Sequence, residues 1–310
     1  MSLERLLPPV PDGFEVARGA RGVVWARADA AGALARAGFG PDGTCSEEAL
    51  PDADESGREP LGLLDLGGRS ALVRRFVHGG LARRLTGRVF RDPTRAFREL
   101  RASEALRALG IPTPSVLAAR AVSVRGGYEL SLVVERLAGT RDVGRLFGDV
   151  RAGRAPKGAL RRALVDVGRL ISALHGVGFH HADLQPANVL VRSDGERGAV
   201  VLDLDRSVFM TPAGEADVPA ADPVPLPEAR RAANLGRLWR HVRRREERYG
   251  AVLDERDLAL FLSAYGLERT RIGGFGRAVD AAADRRGALH RFGWWLERSF
   301  GRRDDARARG

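Results

Sequence analysis

The string HHADLQPANVLV at residues 180–191, with VVLDLD at 200–205, constrains this chain more than any other feature. Ahead of it, ALRRALVDVGRLISALH (159–175) sets Leu160, Ala163, Leu164, Val167, Leu170, Ile171 and Leu174 at helical spacing. Behind it come two short apolar pieces, VLVRS and AVVLDLD, separated by the Asp194–Gly195 turn. Asp183 and Asn188 therefore lie on a loop between a helix and a short strand, and Asp203 ends the next strand across a hairpin. Two carboxylates and an amide are brought to one locus on fixed elements.

The rest of the chain changes character at about Gly139. Before it, FEVARGARGVVWARA (14–28) and LGLLDLGGRSALVRRF each read as strand, Gly turn, strand. PTRAFRELRASEALRAL (93–109) reads as a helix, with Pro93 in its first turn and Gly110 and Pro112 at its end. VLAARAVSV and ELSLVVERL follow as two strands around Gly126–Gly127. The segment from about residue 30 to 59 is acidic, turn-rich and without periodicity, and reads as a mobile insertion or long surface loop. After Gly139 helices dominate; a Pro-rich connector, 211–227, leads to a helix near 228–249 and to further helices. The expected fold class is α+β and bilobal: residues 1–138 form an antiparallel sheet with one main helix near 93–109, and residues 139–310 a mainly helical unit. The second unit carries the loop 180–191 and the segment 200–206.

Composition excludes little but does so usefully. A 44% hydrophobic and 29% charged chain of 310 residues has ample core. No apolar run approaches the roughly 18–20 residues of a membrane span. The opening MSLERLLPPVPDGFE has Glu4 where a secretory leader is basic and prolines where it is apolar, so a cytoplasmic location is expected. Cys45 is the single cysteine, which removes internal disulfides and cysteine metal sites. The net charge of +11 is almost wholly arginine, Lys157 being the only lysine. That charge favours anionic partners: nucleotide phosphates, nucleic acid or an anionic membrane surface. Without an aromatic-rich or recognised nucleic-acid motif, no nucleic-acid partner is expected.

Phosphoryl transfer needs a carboxylate to accept the attacking hydroxyl's proton, oxygen ligands for Mg²⁺ and positive charge around the moving group. H-x-D-L-x-P-x-N-x-L, then apolar-apolar-x-D, resembles the catalytic loop and metal-binding aspartate of protein kinases. The resemblance implies Asp183 as base, Asn188 and Asp203 as Mg²⁺ ligands, and ATP as phosphoryl donor. The strand cation of such folds falls in ALVRRF at Arg74, with Arg75 the alternative if the register slips by one residue and turns to the other face. Its carboxylate partner is Glu99, with Glu104 as runner-up. The phosphate-covering turn would be Gly19–Gly22, and Glu135 falls at the connection between lobes, where backbone groups meet adenine. Ala182 replaces the arginine that docks a phosphorylated loop, Gln185 stands at a lysine position, Asp205 replaces the glycine of D-F-G, and no A-P-E follows. These departures point to a small hydroxyl substrate rather than a peptide.

Taken together, GARGVVW, ALVRRFVHGGLARRLTGRVF, TRAFRELRASEALRALGIPTPSVLAARAV, LVVERLAG, HADLQPANVLV, VVLDLDR and ANLGRLWR resemble the 3-deoxy-D-manno-octulosonic acid (Kdo) kinases of the lipopolysaccharide kinase group. The resemblance runs from about residue 14 to 250. It implies transfer of the ATP γ-phosphate to a Kdo hydroxyl on a lipid A precursor, at the cytoplasmic face of the inner membrane. Arg83, Arg84 and Arg88 are then candidates for the acceptor's anionic groups. In the tail, Trp294, Trp295 and Phe300 among arginines fit either an interfacial helix or one packed on its own domain. Other sugar kinases (heptose or aminoglycoside-like), a compact atypical protein kinase, and an ATP-binding scaffold without catalysis remain the alternatives.

Overall fold

The computed structural model describes residues 3–43, 52–56, 60–78, 87–194, 196–268 and 272–283. Cys45, Arg83, Arg84, Trp294, Trp295 and Phe300 lie outside them. The chain divides into two compact units. One holds the described residues up to Ala108 with Thr113–Ala138, and the other holds Leu109–Pro112 with the described residues from Gly139 onward.

The first unit is built on a seven-stranded sheet. Its strands are β1 (Phe14–Arg18), β2 (Gly22–Arg27), β3 (Asp52–Ser56), β4 (Pro60–Asp65), β5 (Ser70–Arg75), β6 (Val116–Val124) and β7 (Gly127–Glu135), in the order β1-β2-β6-β7-β5-β4-β3. Every pairing is antiparallel. β2 and β6 are almost continuously apolar, as strands covered on both faces must be. Helix α1 (Ala28–Arg36) packs Ala30 and Leu34 against one face, with Val24, Ala71, Val73 and Val133. On the other face α2 (Arg95–Ala108) packs Phe97 and Leu100 against Trp25, Ala119 and Leu132. Trp25 and Phe97 meet edge to face at 4.6 Å.

The segment from 30 to 59 is thus not the structureless loop that its composition suggests. Its first part belongs to α1, and Asp52–Ser56 adds an edge strand to the sheet. Phe39 sits 2% exposed in the α1-side core, under the Arg120 guanidinium at 4.3 Å from its ring centroid. Arg120, itself buried in β6, also reaches the Gly40 carbonyl and Ser131 Oγ. The apolar signal here is spread over Ala30, Leu34 and Phe39 among glycines and acidic residues, so no window shows a period. Phe39→Ala is expected to destabilise this unit by about 3–5 kcal/mol, as for other buried phenylalanines. Denaturant unfolding measures it, and a loss under about 1 kcal/mol would restore the surface-loop reading.

The second unit centres on α4 (Lys157–Gly176), whose seven apolar positions named above are all buried. Small antiparallel sheets flank it: β8 (Thr140–Asp142), β10 (Val189–Arg192) and β11 (Ala199–Val201) in one, and β9 (Phe179–His180), β12 (Val208–Thr211) and β13 (Gly214–Ala216) in the other. α3 (Val143–Arg151), α5 (Glu228–Tyr249), α6 (Glu255–Ala264) and α7 (Ile272–Ala283) complete it. The β12–β13 hairpin occupies the start of the Pro-rich connector, where two very short strands leave no alternation to read. Fully buried Asp257 closes a capping box on α6 and meets Lys157 and Arg161 from α4, which ties the two helices together.

Candidate active site

In the second unit the hairpin predicted from the sequence is formed, with Val189 opposite Val201. The ladder extends one step as Leu202 N–H donates to the Asn188 carbonyl at 2.9 Å, which fixes Asn188 beside the residue preceding Asp203. Asp203 then turns with φ 55°, a left-handed conformation that costs a non-glycine residue roughly 1–2 kcal/mol. Such strain persists where the surroundings over-determine it, commonly at functional positions. Downstream, Ser207 N–H bonds the Leu204 carbonyl, and β12 pairs with β9 through Val208–His180 and Phe209–Phe179. Ala182, lacking any side-chain donor, ties its backbone N–H to Ser207 Oγ at 3.0 Å. The chain after Asp203 therefore folds straight back onto the loop.

Asp183 is held at both oxygens. Gln185 Nε2 donates to Oδ2 at 2.8 Å, and Arg237 of α5 donates to Oδ1 at 3.0 Å. Its backbone is fixed as well: the carbonyl accepts from Asn188 Nδ2 at 2.8 Å, and the N–H donates to His181 Nδ1 at 3.1 Å. His181, fully buried, donates its other nitrogen to the Leu202 carbonyl at 2.8 Å. One imidazole thus braces the residues beside both carboxylates in a single neutral tautomer. Burial pushes its pKa down, and a proton on Nδ1 would face the Asp183 N–H.

Behind the loop lies a second buried relay. Asn234 Nδ2 donates to the His181 carbonyl at 2.6 Å, while its Oδ1 accepts from His181 N–H at 3.4 Å and from His175 Nε2 at 3.1 Å. His175 Nδ1 accepts from the Tyr265 hydroxyl at 2.8 Å. Burial lowers His175 to about 4 and raises Tyr265 to about 12, so both stay neutral in the fold. An unfolded histidine titrates near 6.5, so the unfolded chain takes up this proton first as pH falls. The stability present above that value drains away between about pH 6.5 and 4, by about 3 kcal/mol from His175 alone. Thermal unfolding from pH 8 to 4.5 should show the midpoint holding above pH 6.5 and dropping below it. A flat profile would contradict a neutral, buried His175.

The cation and its partner lie in the first unit. Alternation along β5 sends Ala71 and Val73 to the α1 face and Arg74 to the α2 face, where Arg74 ion-pairs with buried Glu99. Glu104 instead pairs with Arg27, at 2.5 Å. Gly19 and Gly22 have a packing reason of their own. A Cβ on Gly22 would lie 1.8 Å from the Pro41 carbonyl, and one on Gly19 2.3 Å from an Asp42 carboxylate oxygen. That carboxylate already accepts from the Arg21 N–H of the turn, at 3.0 Å. The Glu135 side chain meets Arg69, and its backbone N–H bonds the Ser115 carbonyl.

Among the described residues, no cluster of three or more His, Cys, Asp or Glu is placed to hold a metal ion. The Asn188–Asp203 pair is nevertheless of the right chemistry for Mg²⁺. With Nδ2 committed to Asp183, Asn188 presents Oδ1, and with the Asp203 carboxylate the donors are all oxygen. Sequence reasoning missed Asn234, His175 and Arg237. The only signal for them was the piece ANLGRLWR, which carries two of the three without marking either.

An antiparallel-sheet unit with one helix holding a strand cation, and a helical unit with a D-x-x-x-x-N loop and a hairpin aspartate, define a protein-kinase-like fold. The structure of WaaP in complex with acyl carrier protein shares it, with a TM-score of 0.50 and 20% identity over 83% of this chain and 90% of that one. Residues 69–218 match the lipopolysaccharide kinase (Kdo/WaaP) family. The 3-deoxy-D-manno-octulosonic acid kinase of Stenotrophomonas maltophilia is 32% identical over 163 residues, 51% of this chain and 61% of that protein. Its namesake in Xanthomonas campestris pv. campestris is 32% identical over 168 residues, 52% and 62% of the two chains. The chain thus spans about three-fifths of the length of these relatives. Gly19, Gly22, Asn234 and Arg237 lie outside the family stretch. No helix among the described residues is long and apolar enough to cross a membrane.

Proposed function

We propose that this protein transfers the γ-phosphate of ATP to a sugar hydroxyl, that of Kdo on a lipid A precursor, in building the lipopolysaccharide core. The observation that carries the reading is Asp183, held at both carboxylate oxygens beside the Asn188–Asp203 hairpin. Asp183 accepts the proton of the attacking hydroxyl as the new P–O bond forms; the bond to the β-phosphate bridging oxygen breaks, and ADP leaves. Asn188 and Asp203 would hold Mg²⁺, which neutralises phosphate charge when bound. Arg74, oriented by Glu99, is the proposed phosphate contact; its fork is fixed by the carboxylate rather than free to swing. The Gly19–Gly22 turn and the backbone at Glu135 are the proposed nucleotide-covering and adenine positions. The family supports the sugar acceptor, and the net charge of +11 supports work at the anionic cytoplasmic face of the inner membrane.

The test is ATP consumption with Mg²⁺, comparing Kdo-bearing lipid A, a generic protein substrate and no acceptor. Phosphate on the Kdo lipid is the expected result. Transfer only to a different sugar would replace the acceptor, transfer to the protein would restore the protein-kinase reading, and tight ATP binding with no transfer would establish a scaffold.

A further inference from the structure

The loop HHADLQPANVLV contains no lysine or arginine, yet a transferring phosphoryl group gathers negative charge that needs an opposite charge nearby. Residue 185, two beyond Asp183, is a neutral glutamine spent on Asp183 Oδ2. A cation does reach this carboxylate from elsewhere in the chain. Arg237 donates Nη1–H to Asp183 Oδ1 at 3.0 Å, and its side chain remains 40% exposed. Its delivery is rigid. Asn234, bonded twice to the His181 backbone, pins α5 to the loop, and Arg237 lies three residues further along the same helical face.

Resting on the kinase reading above, we propose that Arg237 is the positioning residue of Asp183 and supplies the positive charge that the loop itself lacks. Gln185 and Arg237 divide the two oxygens between them: the amide fixes orientation without charge, and the guanidinium fixes the second oxygen and brings charge. Lysine can replace the charge at 237 but not the fork geometry, whereas lysine at 185 would return a cation to the loop.

The experiment compares wild type, Arg237→Gln, Arg237→Lys and the double variant Gln185→Lys/Arg237→Gln, each measured for phosphoryl transfer, Mg-ATP binding and thermal midpoint. Arg237→Gln should lower kcat by about a hundredfold, with KM for ATP within about threefold of wild type. Arg237→Lys should recover part of that loss. The double variant should gain at least about tenfold over Arg237→Gln, a rescue that a merely structural role for Arg237 would not produce. A kcat within threefold of wild type in Arg237→Gln would overturn the proposal, as would a lowered melting point with no recovery in either lysine variant. Wild-type protein that binds Mg-ATP but transfers phosphate to no acceptor would bring down the kinase reading and this inference with it. Active wild type beside an unaffected Arg237→Gln brings down this inference alone.

Discussion

Asp183→Asn is expected to reduce phosphoryl transfer by roughly a hundred- to ten-thousand-fold while leaving the protein folded and able to bind ATP. The amide matches the carboxylate in shape. It can still accept from either Gln185 or Arg237, and the backbone bonds that place residue 183, from Asn188 Nδ2 and to His181 Nδ1, do not involve its side chain. What it cannot do is take up the proton of an attacking hydroxyl. The loss should therefore appear in kcat, with KM for ATP close to that of wild type, because an interaction needed only at the transition state has been removed. Asparagine is a cleaner substitution than alanine, which would also leave Gln185 and Arg237 without their shared acceptor. Single-turnover transfer to the acceptor, beside equilibrium ATP binding, separates the two effects. Turnover near the wild-type level would remove Asp183 from the role of base, and a parallel loss of ATP binding would make it a nucleotide ligand instead.

Asp183, Asn188 and Asp203 were legible in the sequence because they lie close together along the chain. The geometry that unites them is a hairpin whose turn, strands and preceding helix all carry local signals. Arg74 and Glu99 were legible through the resemblance, which places a strand cation in ALVRRF and a helical carboxylate beside it; alternation along the strand and the facing of the helix then bring the two together. Arg237 was not. It sits some fifty residues beyond Asp183 on a helix crowded with arginines, where one more basic residue reads as part of a solvated face. Asn234 was hidden differently, since a single buried amide carries no period and no charge. The segment from 30 to 59 failed in the opposite direction. Its acidic, turn-forming composition concealed a short helix, a buried phenylalanine and an edge strand, because tertiary packing through Arg120 supplies what local pattern does not.

Asn234 also gives a prediction with a large expected effect on stability. Asn234→Leu keeps much of the volume but strands the His175 Nε2–H, the His181 N–H and the His181 carbonyl, all buried. An unsatisfied buried polar group costs about 1–3 kcal/mol, so a total of roughly 3–5 kcal/mol is expected, with activity falling as the loop loosens. Asn234→Asp discriminates between packing and hydrogen bonding. The carboxylate retains an acceptor for His175 and for the His181 N–H but opposes the His181 carbonyl, so it too should destabilise near neutral pH. It also places a negative charge beside His175, which raises that histidine's pKa in the fold from its present value of about 4. In wild type the unfolded chain takes up the His175 proton first, and stability falls below pH 6.5; in Asn234→Asp the folded state competes for the same proton, so that slope should flatten or reverse. The difference in melting temperature between the two proteins should therefore narrow steadily from pH 8 to pH 5. Parallel pH profiles would mean that His175 and Asn234 do not share the hydrogen bond, and the relay behind Asp183 would have to be redrawn without it.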